Sequence, residues 1–232
     1  MISIIIPAWN EEKYLPKLLD CIKKQTYKDY EIIVADANST DRTRQIAKKY
    51  GCKVVKGGMP AVGRNNGAKA AKGEILLFLD ADCLIEKDFL GNSLNDIKKR
   101  ELDVAGSYLY PSSNGLVDNF FLNFFNLWIF ATQYSYANAA GSGIFCKKWL
   151  HKKINGFDNS IKLSEDMDYV KRCGKQGKFR IIRNSKVVYS MRRFEKEGRI
   201  KVALKLFMSG VYRLIFGEIK SDFFRYNLRY RK

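Results

Sequence analysis

Residues 74–83 read Glu-Ile-Leu-Leu-Phe-Leu-Asp-Ala-Asp-Cys, five consecutive apolar residues that run into two carboxylates one residue apart. An uninterrupted apolar run of this length suits a central strand of a parallel sheet, which is covered on both faces. Ligands of open α/β sheets gather beyond the carboxyl ends of such strands, so Asp80 and Asp82, flanking Ala81, are expected at a binding site. Two carboxylates this close repel each other unless a cation or a hydrogen-bonded ligand offsets the charge, and hard oxygen donors suit Mg²⁺ or Mn²⁺. A metal diphosphate matches that chemistry. Taken alone, the same triplet also reads as a solvated turn that caps the next helix.

Upstream, Ile2 to Ile6 form a β-branched run closed by Pro7, and residues 31–35 form a second apolar strand. Leu15, Leu18, Leu19 and Ile22 recur at intervals of three and four, which predicts a helix between the two strands. Glu11 and Glu12 stand in its first turn, where the helix dipole favours acids. Ser39 or Thr40 supplies the N-cap of a second helix, and residues 52–55 form a third strand. A Gly-Gly turn at 57–58 and a small-residue helix over 61–71 lead into the strand before Asp80. Strands alternating with helices predict an α/β fold with a doubly wound, mostly parallel sheet.

The second half is less regular. Residues 87–100 read as a helix, 103–110 as a strand, and 179–182 with 186–189 as a pair of strands. Residues 119–146 hold no charged side chain. Asparagines interrupt that stretch, and its most apolar part, residues 120–131, is too short to cross a hydrocarbon layer of about 30 Å. The reading is an amphipathic or buried aromatic helix, with core packing of Phe121, Phe124, Phe125 and Trp128 standing beside membrane contact. Residues 165–176 form a helix with three acids in its first turn. From 201 to 217, Leu204, Phe207, Met208, Val211 and Ile215 fall at helical spacing beside the bases Lys201, Lys205 and Arg213, as in an interfacial helix.

The chain has 232 residues, is 46% hydrophobic and carries a net charge of +18. It is long enough for one large α/β domain with a terminal extension, and its composition excludes global disorder. Residues 171–232 hold nineteen Lys or Arg against four Asp or Glu, so +15 of the net charge lies there. A basic block of this kind meets nucleic acid, anionic headgroups or phosphorylated substrates. Five scattered cysteines with no Cys-x-x-Cys pair read as reduced core residues. The N-terminus lacks the pattern of a signal peptide, which predicts cytoplasmic residence. The single histidine, His151, has no ligand-like neighbours in sequence and is not expected to bind metal.

Acidic and basic positions now stand at the ends of core elements: Pro7-Ala8-Trp9-Asn10-Glu11, Asp36 within Asp-Ala-Asn-Ser-Thr-Asp, Arg64 within Gly-Arg-Asn-Asn-Gly, Asp80-Ala81-Asp82, and Glu165-Asp166. In this order and spacing, from residue 2 to about 195, they resemble the family 2 glycosyltransferases, inverting enzymes of GT-A fold that use nucleoside-diphosphate sugars. The resemblance implies a catalytic domain over 1–198, with a nucleotide-sugar half at 1–100 and an acceptor half at 101–198, followed by a basic amphipathic segment at 199–232. Pro7 to Glu11 would then lie under the base and ribose, and Asp36 would accept a hydrogen bond from the base. Arg64 would face the diphosphate, Asp80 the ribose, and Asp82 would bind Mn²⁺ or Mg²⁺. Asp166 would act as general base with Glu165 orienting the site. Gly141, Ser142 and Gly143, with Arg192 and Arg193, would lie on the acceptor side, Arg192 and Arg193 meeting the diphosphate or a phosphorylated acceptor.

The sequence departs from the family pattern in three places. It has Asp-Ala-Asn where many relatives carry Asp-Asp-Gly, Trp9 in place of Tyr or Phe, and Tyr189-Ser190 where some relatives place a metal-binding histidine. The first two leave the base preference open. The resulting expectation is a UDP- or GDP-sugar donor and a lipid-linked or glycolipid acceptor hydroxyl or phosphate. Peripheral contact with the cytoplasmic membrane face through the basic segment is expected, and no nucleic acid. Two rivals remain: a nucleotidyltransferase of similar fold, which would release pyrophosphate, and a basic nucleic-acid-binding module, which would not need Asp82 or Asp166.

Overall fold

The computed structural model describes residues 1–221. Its first half alternates β1 (Ile2–Ala8), α1 (Leu15–Lys23), β2 (Tyr30–Asp36), α2 (Thr43–Lys49), β3 (Lys53–Lys56), α3 (Pro60–Ala70) and β4 (Ile75–Phe78). Then follow β5 (Leu84–Ile85), α4 (Phe89–Lys99), β6 (Val104–Pro111), α5 (Leu116–Thr132), β7 (Ile144–Lys147) and α6 (Lys148–Lys153). The chain continues through α7 (Glu165–Gly174), β8 (Phe179–Tyr189), α8 (Arg192–Glu197) and α9 (Arg199–Phe216). The strands form one eight-stranded sheet in the order β3-β2-β1-β4-β7-β6-β8-β5.

β1 lies between β2 and β4 and is parallel to both, with β3 parallel to β2. Successive side chains of a strand point to opposite faces. Ile2, Ile4 and Ile6 accordingly join Leu15, Leu18, Leu19 and Ile22 of α1 in one core. Ile5 joins Ala61 and Ala68 of α3 in the other. The small residues of α3 let that helix lie close on the sheet, since a Cβ on Gly67 would collide with Cγ2 of Ile5.

Beyond β4 the sheet is mixed: the mostly parallel sheet expected is observed, with its antiparallel pairs confined to this half. β7 runs antiparallel to β4 and β6, while β8 is parallel to β6 and antiparallel to β5. The reversal has a local cause. The chain re-enters the sheet at the carboxyl end of β4, where the Gly143 N–H donates to the Phe78 carbonyl at 2.8 Å, and β7 therefore runs back down. The expected strand pair over 179–189 is instead a single strand, β8. A register shift against β6, between Gly106 and Tyr108, absorbs the polar break.

α5 decides between the two packings that the sequence left open. Its inward stripe is Leu122, Asn126 and Ile129, with Phe121 and Phe125 half-buried against the core. Phe124, for which core packing and membrane contact were both open, is 64% exposed, and Trp128 lies at the surface as well. Asn126, which interrupts the apolar run, anchors the helix: its amide accepts from the Leu109 N–H at 3.0 Å and donates to the Leu109 carbonyl at 2.7 Å. α9 spans the helix expected at 201–217, and Val202 and Leu206 seat it on the same core. Among the described residues no helix is long and apolar enough to cross a membrane. The basic tail at 225–232 lies outside the described residues.

The α3 contact gives a stability prediction. Gly67→Ala gains helix propensity but overpacks Ile5, and the variant should lose about 1–3 kcal/mol. Urea unfolding should show a lower midpoint at unchanged slope; an unchanged or raised midpoint would count against the close α3–β1 seating.

Candidate active site

Arg64 on α3 is 3% exposed and reaches three separate parts of the chain. Its Nη1 donates to Glu165 Oε1 at 2.6 Å and its Nη2 to Asp80 Oδ1 at 2.9 Å. Asp166 also acts on its charge, and the Phe157 ring lies 5.4 Å from the guanidinium. A planar, permanently charged fork is suited to holding two carboxylates at once. Glu165 and Asp166 open α7, where the dipole favours acids, and Ser164 before them takes a left-handed conformation at φ 63.

Burial, then the neighbouring Glu165 charge, push the Asp166 carboxyl up to about 6, against the opposing pull of Arg64. Its Oδ1 accepts the Met167 N–H at 2.8 Å. Gly141 packs directly on this group. A Cβ there would lie 2.6 Å from Arg64 Nη2 and 3.0 Å from Asp166 Oδ2, so any side chain would have to displace the Arg64 guanidinium from its carboxylates. Ser142 Oγ accepts the Asp80 N–H at 3.3 Å, which ties the 141–143 loop to the end of β4.

A second arginine holds the other carboxylate of the Asp-Ala-Asp turn. Arg192, at the start of α8, donates through both terminal nitrogens to Glu11 at 3.0 Å and through Nη2 to Asp82 Oδ2 at 2.9 Å. Its guanidinium lies 4.3 Å from the Tyr14 ring centroid. Glu11 is fixed from the other side, its N–H donating to Thr43 Oγ1 at 2.7 Å. Arg192 thus meets the residues expected at the donor end, while its neighbour Arg193 pairs with Glu197 at 3.1 Å.

Asp36 ends β2 opposite Ala8 of β1 in the parallel register, so the two following loops start level. It is buried and accepts from Arg44 Nε at 3.1 Å and Nη2 at 2.6 Å. Asn10, at φ 54, donates its N–H to Ser39 Oγ and accepts the Thr40 N–H, binding the first loop to the second. Pro7 and Trp9 are half-buried and Ala8 is buried at the same sheet edge. His151 sits behind the site. Its Nδ1 is 2.9 Å from the Tyr169 hydroxyl, and burial pulls its pKa down to about 4, so the ring is neutral.

Arg44, Tyr14 and Phe157 were not singled out from the sequence. Phe157 stacks on Tyr169 at 3.8 Å, and Asn65 brackets it through its backbone N–H and carbonyl, so it backs Arg64 as a fixed wall. A lone aromatic in a loop gives no sequence signal of that role. Among the described residues no group of three or more metal-type side chains is assembled. The oxygen donors present, Asp82 with Asp80 beside it, fit Mg²⁺ or Mn²⁺ bound jointly with a diphosphate and water, the usual arrangement for Mg²⁺.

The fold matches solved structures of GT-A type. A mannosyltransferase from Pyrobaculum calidifontis, solved with GDP-Man and Mn²⁺, superposes with a TM-score of 0.73 at 20% identity, covering 90% of this chain and 61% of that one. Residues 1–349 of Staphylococcus aureus TarS, solved with UDP-GlcNAc, superpose at 0.68 and 23% identity, covering 82% and 58%. The chain belongs to glycosyl transferase family 2, whose model matches residues 3–156. In sequence it is 37% identical over 112 residues to TarS, a poly(ribitol-phosphate) β-N-acetylglucosaminyltransferase, and those residues cover 44% of this chain and 20% of TarS. A dolichyl N-acetyl-α-D-glucosaminyl phosphate 3-β-D-2,3-diacetamido-2,3-dideoxy-β-D-glucuronosyltransferase from Methanococcus voltae is 28% identical over 222 residues, 82% of this chain and 66% of that protein. The chain thus spans only a fifth of TarS and about two thirds of the archaeal protein.

Removing the central cation should expose the repulsion it offsets. Arg64→Gln is expected to lose about 3 kcal/mol, the lower end for a broken buried pair because Asp80 keeps some solvent. Without Arg64 the carboxylates bind protons more readily in the folded state, so the deficit should shrink as pH falls. Thermal unfolding at pH 8 and pH 5 reads both effects, and a deficit that grows toward pH 5 would contradict the charge argument.

Proposed function

We propose that the chain transfers a sugar from a UDP- or GDP-sugar to an acceptor hydroxyl or phosphate in one displacement with inversion. The observation that supports this best is the placement of Asp166, a carboxyl pushed up to about 6 that shares Arg64 with the Asp-Ala-Asp turn. A general base works best when its pKa approaches the operating pH. With a hydroxyl acceptor, Asp166 accepts the proton as the acceptor oxygen bonds to the anomeric carbon. The bond from that carbon to the diphosphate breaks, and its electron pair leaves with the nucleoside diphosphate. Glu165 and Gly141 keep the Asp166 carboxylate and the Arg64 fork in register.

In this reading the loop from Pro7 to Glu11 and the Asp36 carboxylate flank the base and ribose, with Asp80 toward the ribose. Arg64 and Arg192 face the diphosphate, where fixed guanidiniums stabilise developing charge. A Mn²⁺ or Mg²⁺ ion on Asp82 would supply Lewis-acid stabilisation of the departing diphosphate. Gly141 to Gly143 and Arg193 lie toward the acceptor. A lipid-linked acceptor is favoured because the archaeal relative, similar over most of this chain, is named for a dolichyl phosphate substrate. Peripheral binding to the cytoplasmic membrane face through residues 199–232 completes the reading.

Purified protein supplied with Mn²⁺ or Mg²⁺ and a panel of UDP- and GDP-sugars should slowly hydrolyse one donor, and Asp82→Ala should be silent. Hydrolysis of none, or equal hydrolysis by the variant, would remove the donor assignment. Asp166→Asn should lower kcat by about 10³-fold. Asp166 must be unprotonated to accept a proton, so kcat/KM should fall as pH drops below about 6. A flat acid limb in the unsubstituted enzyme would assign the base elsewhere.

A further inference from the structure

We infer that α5 and α9 together form a face that lies in the surface of an anionic lipid bilayer, extending membrane contact to a helix outside the basic C-terminal segment. The inference rests on the sugar-transfer reading only for its purpose, not for its geometry. On α5, Leu116, Phe120, Phe124, Leu127 and Phe130 are each more than half exposed. The helix has one charged residue, Asp118, and that is buried. Its outer face is therefore uncharged, and apolar apart from the exposed Asn123. On α9, Ile200, Leu204, Phe207, Met208 and Ile215 are likewise more than half exposed and fall on one stripe.

The two helices are joined. Arg199 in the first turn of α9 donates to both oxygens of Asp118 in the first turn of α5, at 2.8 and 3.0 Å. Phe121 of α5 meets Phe194 of α8 at 5.3 Å between centroids. Outward apolar residues this numerous on two linked helices are of the kind that marks an interaction surface rather than a water-facing one.

Charge selects the occupant. α9 contains four bases and no acid, and Lys201 and Lys205, four residues apart, lie along one flank of its stripe. An apolar stripe with a basic flank suits acyl chains below and anionic headgroups beside it. A symmetric second copy would instead bring the same bases toward one another. Neither helix can span a bilayer, so both would lie in its plane.

The far end of α9 points to the use of this face. Arg213 Nη1 lies 3.1 Å from Met167 Sδ, the residue after Asp166, and Ile219 bridges to Leu163 just before α7. A bilayer beneath α9 would bring a lipid-linked acceptor to the side of the site that holds Asp166.

The test is co-sedimentation of the full chain with vesicles of phosphatidylcholine alone and of equal parts phosphatidylcholine and phosphatidylglycerol. The unsubstituted chain should bind the mixed vesicles and bind the neutral ones about tenfold less. Phe120→Ser/Phe124→Ser/Leu127→Ser on α5 should reduce binding to mixed vesicles about tenfold or more. Lys201→Glu/Lys205→Glu should reduce binding to mixed vesicles while leaving the neutral ones unaffected. Donor hydrolysis without vesicles should be unchanged in the α5 variant, which shows that it is folded. Failure of hydrolysis in every form would count against the transfer reading, and the vesicle result would still stand. Binding by the α5 variant equal to the unsubstituted chain, or no vesicle binding by the unsubstituted chain, overturns the inference. So does a concentration-dependent dimer that the α5 variant abolishes while vesicle binding is absent, which would assign the face to a second copy.

Discussion

The site depends on how the buried Arg64 guanidinium divides its charge among the carboxylates around it. One buried guanidinium serves Asp80 and Glu165 directly and acts on Asp166, while Arg192 serves Glu11 and Asp82. Among the described residues these five carboxylates converge on two arginines. Asp80 and Asp82, neighbours in one turn, are drawn to different arginines, which divides their mutual repulsion. Asp166 lies in the same cluster, and burial first, then the Glu165 charge, pushes its carboxyl upward against the pull of Arg64. A nucleoside diphosphate would bring more negative charge into this setting, and a divalent cation arriving with it would offset both. The same crowding of carboxylates therefore bears on the candidate base and on the proposed cation.

The parallel half was legible because its signals are local. A five-residue apolar run needs cover on both faces, and the helical spacing of Leu15, Leu18, Leu19 and Ile22 supplies cover for β1 on one of them. Carboxylates placed directly after such strands must emerge at one sheet edge, so the neighbourhood of Asp36, Asp80 and Asp82 followed from their positions alone. The mixed half was not legible in that way. The direction of β7 is decided by where the chain re-enters, at the Gly143 to Phe78 hydrogen bond, and no periodicity within Ile144–Lys147 encodes it.

Long-range partners explain the rest of the gap. Arg192 and Glu11 are 181 residues apart, and the motif around Arg192 assigned it to the acceptor side, at the diphosphate or a phosphorylated acceptor, without pointing to Glu11. Arg44 looks like an ordinary surface base of α2 until Asp36 is seen beside it. The charge-free stretch at 119–146 showed that a helix there would be apolar, but apolarity on every side does not say which face turns inward. Asn126 decides it, because a buried amide must find partners and the Leu109 backbone offers both.

α9 answers two demands with its two faces. Inside, Val202 and Ser209 are buried against the body of the protein, and Arg213 is held by Glu218 at 2.6 Å. Outside, its apolar side chains gain little from water, and their exposure is unfavourable in proportion to area unless something apolar covers them. An 18-residue helix is about 27 Å long, so its two ends report on distant places. Its first turn is fixed to α5 through Asp118, and its last turn reaches Met167 beside the candidate base. A surface that covers both outer faces would therefore restrain the two ends together, setting the distance of Asp166 from that surface. For an acceptor tethered to lipid, that distance decides whether its hydroxyl can reach the carboxylate at all, so the apolar face and the base act on one geometric requirement.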